Sequence, residues 1–123
     1  MEIAEIKNPS EEVQLAAVKE DVYALYHIEN PSEALQLFAV KEHYNAISLI
    51  ENPSEEIQLA AVNQDAAAIQ FIKNPSETLQ LAVVNKNPHK IIFIKNPSKI
   101  AMQAAIYKDK DSFSSFKEEW FSE

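Results

Sequence analysis

A chain of 123 residues with 46% hydrophobic and 24% charged side chains has room for one ordinary folded domain, is too short for two, and is too apolar for a disordered polyelectrolyte. It holds no glycine, which disfavours a β fold closed by tight primed turns, and no cysteine, which removes disulfides and thiolate metal sites. All 11 cations are lysine within a net charge of −8, so the arginine fork suited to phosphates and base edges is missing, and sequence-specific nucleic-acid binding is not expected.

The charge is uneven, −10 over residues 1–65 and +2 over residues 66–123. Glu2 and Glu5 stand where a secretory leader would have a basic region and an apolar run. No apolar stretch approaches the ~20 residues that span a bilayer. A cytoplasmic protein with no membrane contact is expected.

In chain order, the segment MEIAEIK (1–7) reads as the end of a repeat unit, a half-repeat that keeps Ile3 and Ile6. The triplet Asn-Pro-Ser then begins at residues 8, 30, 52, 74 and 96, always 22 residues apart, and defines repeats 8–29, 30–51, 52–73, 74–95 and 96–117. A fixed period of this size predicts stacked supersecondary units.

Within each unit, Asn reads as a helix N-cap, Pro as the first helical residue, and Glu11, Glu33, Glu55 and Glu77 as the acid of a capping box. A first helix of about eleven residues is expected to follow, ~16 Å long. In the first repeat its apolar set is Val13, Leu15, Ala16, Ala17 and Val18, which wraps most of the helix. Leu37 and Leu59, at central-repeat positions, are expected to be almost fully buried.

A short polar break comes next, at Asp21, His43, Asp65, Asn87 and Asp109. These residue types cap helices and tolerate left-handed backbone. A shorter second helix, two turns and partly 3₁₀, then carries apolar pairs three apart: Leu25 and Ile28, Ile47 and Ile50, Ile69 and Ile72, Ile91 and Ile94, Phe113 and Phe116. The next Asn-Pro ends it.

The last repeat departs from the pattern. Lys99 replaces the glutamate and Met102-Gln103 replaces Gln-Leu. A helix over 111–123 carrying Phe113, Phe116, Trp120 and Phe121 on one face is expected to cap the stack, with partner or dimer binding by Trp120 and Phe121 as the other reading. The fold expected is all-α, a right-handed α-solenoid of five 22-residue helix-turn-helix repeats in a single domain with a C-terminal capping helix.

This pattern resembles short two-helix solenoid repeats of the HEAT-like and leucine-rich-repeat-variant kind. The phrase I-x-N-P-S-E-x-x-Q-L-A-A-V is also similar to repeats in bacterial, phage and giant-virus proteins of unassigned function. The resemblance implies architecture and says little of activity, because such scaffolds serve unrelated binding tasks.

Positions that stay constant between copies read as framework, including Gln14, Gln36, Gln58 and Gln80, whose amides are expected to bond backbone or the next repeat. Positions that vary cluster on the second helix: Val22, Tyr23, Tyr26 and His27, then Tyr44, Asn45, Ser48 and Leu49, then Ala66, Ala67, Gln70 and Phe71, then Pro88, His89, Ile92 and Phe93. Stacking would line up His27, Leu49, Phe71 and Phe93 ~8–10 Å apart, and aromatic rows of this kind are common on interaction surfaces.

The candidate protein-binding residues are therefore Tyr23, Tyr26, His27, Tyr44, Leu49, Phe71, His89 and Phe93, and the candidate acidic surface is Glu12, Glu20 and Glu56. Asp21, His43 and Asp65 share one place in successive repeats, but ligands a repeat apart are too distant for ~2 Å metal bonds, and capping accounts for them. No catalytic constellation stands out, and neither an enzyme nor a cofactor is expected.

The leading expectation is a non-enzymatic module that binds a protein of unknown identity. An alternative is a phage or mobile-element inhibitor of the anti-defence type, acting in the host cytoplasm, whose acidic surface blocks a nucleic-acid-binding enzyme. A third is a structural or self-assembling spacer, a homo-oligomer held by its oppositely charged ends.

Overall fold

The computed structural model describes residues 10–109. Ile3, Ile6 and the first Asn-Pro lie outside that range, as do the expected cap at 111–123 and its residues Phe113, Phe116, Trp120 and Phe121.

The described chain is all-helical, with five α-helices alternating with four 3₁₀ helices: α1 (Glu11–Glu20), η1 (Val22–His27), α2 (Glu33–Glu42), η2 (Tyr44–Leu49), α3 (Glu55–Gln64), η3 (Ala66–Phe71), α4 (Glu77–Lys86), η4 (Pro88–Phe93) and α5 (Lys99–Lys108). Each α-helix packs on the next, each 3₁₀ helix on the next, and each 3₁₀ helix against the α-helices on either side of it. Among the described residues, elements touch only their own unit and the adjacent ones.

The α-helices begin three residues after each Asn, and the cap is Ser rather than the expected Asn. Ser10, Ser32, Ser54, Ser76 and Ser98 are extended, and each hydroxyl accepts the backbone N–H three residues on. The glutamates therefore stand at the first helical position, not at the capping-box position. Their charge still lies in the first turn, where the helix dipole favours it. The preceding Asn is used for the turn instead. Asn30 and Asn74 have φ of 56° and 54°, the left-handed region that Asn enters more readily than most residues in a chain without glycine.

The polar breaks do cap, but from extended backbone rather than the left-handed kind. Asp21, Asp65 and Asn87 close one helix with their backbone N–H and open the next by accepting Tyr23, Ala67 and His89 N–H at 3.0, 2.9 and 3.0 Å. His43 makes no such side-chain bond.

The second helices are wholly 3₁₀. At three residues per turn, residues three apart eclipse one another. Their first and fourth residues, with the residue just past the end, form the inward stripe: Leu25, Ile28, Ile47, Ile50, Ala66, Ile69, Ile91 and Ile94 are buried.

In the α-helices the buried set is Leu35, Ala39 and Val40, repeated as Ile57, Ala61 and Val62, then Leu79, Val83 and Val84, then Ala101, Ala105 and Ile106. Leu37 and Leu59 are only half-buried, contrary to expectation. They lie about 200° round the helix from Leu35 and Ile57, at about 100° per residue, and pack on the flank of the core.

The glutamine ladder serves the junctions. Gln36, Gln58 and Gln80 donate from Nε2 to the carbonyls of Pro31, Pro53 and Pro75 at 3.0, 3.2 and 3.0 Å. Gln80 also accepts the Ser98 N–H at 2.8 Å, which ties its unit to the next. It is the one buried polar residue among those described. Ser54 adds a cross-unit bond by donating its hydroxyl to Glu33 at 2.9 Å.

Replacing Leu35 or Ile57 by Ala should cost ~2–5 kcal/mol, the range for a fully buried aliphatic side chain. Leu37→Ala and Leu59→Ala should cost measurably less. Urea titration of the four variants checks this, and equal losses in both pairs would show the inner face to be misassigned.

Candidate functional site

Because the inward stripe of each 3₁₀ helix takes its first and fourth residues, the second and fifth must point away from the core. These outward places carry Tyr23 and Tyr26, Asn45 and Ser48, Ala67 and Gln70, then His89 and Ile92. Tyr23, Tyr26 and Ile92 are 62%, 71% and 73% exposed. Ile92, one of the variable positions of the second helix, is not among the candidate binding residues, although it is as exposed as Tyr26. The signal was the three-residue period, which becomes usable once the second helix is known to be 3₁₀ throughout.

The expected row of His27, Leu49, Phe71 and Phe93 occupies the sixth place, on the flank rather than the crest. His27 is exposed, with its ring edge-on to Tyr26 at 5.6 Å between centroids. Phe71 is 45% exposed, and Tyr44, half-buried, lies 6.5 Å from it. Leu49 and Phe93 are half-buried against the core, and the Lys90 ammonium sits 5.2 Å over the Phe93 ring. Ala66 and Ala67, read as outward positions, are buried. Ala66 lies on the inward stripe, while Ala67 shares the outward place with Tyr23 but is small enough to be covered.

His89 is exposed but engaged, its Nε2 standing 2.9 Å from the carboxylate of Asp109 at the end of α5. Glu12, Glu20 and Glu56 are exposed on the first helices, away from the 3₁₀ crest. Among the described residues no group of three His, Cys, Asp or Glu is placed to hold a metal ion. None of the described helices is long and apolar enough to cross a membrane.

Two open grooves run beside the 3₁₀ crest, at the junctions turned by Asn30 and Asn74. The first, of about 700 Å³, is bordered by Tyr26, Leu49, Glu29 and Glu51. The second, of about 620 Å³, is bordered by Phe71, Phe93, Lys73 and Lys95. They are the same feature two units apart, with acids in one replaced by lysines in the other. Phe71 and Phe93 thus share one groove, while Tyr26 and Leu49 share the other. Comparison of the chain with known protein families, characterised proteins and solved structures finds no match.

Crest and flank should separate on mutation. Tyr26→Ser should change stability by no more than about 0.5 kcal/mol, as exposed substitutions do. Phe93→Ser should cost several times as much, because it empties part of the core. Thermal melts of both variants test the distinction, and a large loss for Tyr26→Ser would place that ring in the core.

Proposed function

We propose that this chain is a right-handed α-solenoid of 22-residue repeats, related to the HEAT-like and leucine-rich-repeat-variant kind, that acts as a non-enzymatic, cytoplasmic protein-binding module. The observation that carries this reading is the division of labour within each unit. The constant residues supply the buried stripes and junction bonds, whereas the outward 3₁₀ places change from copy to copy and hold Tyr23, Tyr26 and Ile92. Large exposed apolar side chains of that kind are the usual anchors of a protein interface. Acidic residues on the first helices, Glu12, Glu20 and Glu56, would steer a basic partner by raising its association rate. Those same exposed acids favour the second reading, an inhibitor that occupies a nucleic-acid channel.

The test is capture from a lysate of the native host by the immobilised chain, with retained proteins quantified by mass spectrometry. Tyr26→Ser combined with Ile92→Ser should reduce specific retention more than about tenfold, since two interface anchors are removed, while helical circular dichroism is unchanged. Reversing Glu12, Glu20 and Glu56 to Lys should mainly lower salt sensitivity. Normal retention by the apolar variant, with retention abolished in the charge-reversed one, would replace the module with the acidic inhibitor.

A further inference from the structure

In the four units whose last residue is described, that residue lies beside the 3₁₀ crest, and the charges run Glu29, Glu51, Lys73, Lys95, with Lys7 and Lys117 at the same place of the repeat outside the described residues. All four are exposed, with the acids bordering the first groove and the lysines the second. The 3₁₀ helices that precede them pack one upon the next, which sets successive charges roughly 8–10 Å apart.

An acid-acid-base-base row is complementary to itself under a two-fold axis through its middle. Glu29 then meets Lys95 of a second copy, Glu51 meets Lys73, and the other two pairs follow by symmetry. A two-fold interface requires this self-complementarity of one patch with its own copy. The same rotation sets the acidic groove of one molecule against the basic groove of the other. It also brings Tyr26, standing proud at 71% exposure, opposite Ile92 at 73%. In a parallel pairing Glu29 would face Glu29 and Lys95 would face Lys95, and like charges held together are strongly disfavoured.

We infer that the 3₁₀ face binds a second copy of this chain, forming an antiparallel two-fold dimer in which the rows Glu29, Glu51, Lys73 and Lys95 pair end for end. This rests on the reading of that face as a protein-binding surface and names its partner. The exposed charges fix orientation and register, and they are screened by salt. The apolar residues beside them supply the adhesion.

Sedimentation equilibrium of the purified full chain tests the inference. The wild type should reach twice its monomer mass of 13.9 kDa and dissociate as salt is raised. Glu29→Lys with Glu51→Lys makes these four charges all basic, and Lys73→Glu with Lys95→Glu makes them all acidic. Each variant alone should dimerise at least roughly tenfold more weakly, with an unchanged circular dichroism spectrum. An equimolar mixture of the two should recover a dimer, as should the chain carrying all four changes. A wild type that stays monomeric up to about 1 mM overturns the inference, as does a dimer indifferent to either reversal or a mixture that fails to recover. In any of these cases, lysate capture that still depends on Tyr26 and Ile92 leaves the protein-binding reading standing with a different partner.

Discussion

No unit of this chain can bury its own apolar residues, and the rest of the structure depends on that constraint. A ten-residue α-helix and a six-residue 3₁₀ helix are each too short to be stable alone in water. Ile57, Ala61 and Val62 reach full burial because α2 and α4 flank them and η2 and η3 lie against their helix. Apolar residues therefore recur at these places in each described copy, because each is both core for its own unit and wall for the next. With contacts among the described residues confined to adjacent units, stability there is approximately a sum of unit and interface contributions.

The junctions make the stacking specific. The Asn-Pro-Ser triplet divides three tasks, with Asn30 and Asn74 turning the chain through left-handed backbone, Pro stiffening the connection and Ser capping the helix. The glutamine at the end of the first helical turn holds the proline carbonyl, so junction and helix are fixed together. At Gln80 the same amide reaches the following junction. These bonds use constant residues and leave the exposed crest side chains Tyr23, Tyr26 and Ile92 outside the junctions. Side chains there can change without disturbing the stack, which is what a binding surface requires of its scaffold.

The repeat length, the helix-break-helix unit and the apolar pairs three apart were legible because they are spacings, and the fixed offset between copies averages out local ambiguity. The phase of the first helix was not. Apolar side chains wrap nearly the whole of it, so no single face stands out, and Leu37 looked as good a core residue as Leu35. The cap was misplaced by two residues because Asn and Ser are equally good N-caps on type alone. What decides between them is the backbone, extended at Ser and left-handed at Asn30 and Asn74. On the candidate face, Tyr23 and Tyr26 were recognisable by their variation. The set-back of Leu49 and Phe93 and the prominence of Ile92 follow from three residues per turn, and a reading that left the second helix partly α could not supply that period.

If the units are interchangeable pieces of one stack, a whole unit can be removed without unmaking it, and that is the most direct test of the account. Deleting residues 52–73 joins the second unit to the fourth in register and should give a folded, cooperatively unfolding helical protein of reduced stability, as followed by circular dichroism during denaturation. Deleting only residues 52–64 removes an α-helix without its 3₁₀ partner and should abolish cooperative unfolding. Loss of folding on removal of the complete unit, or tolerance of the half-unit deletion, would contradict the account.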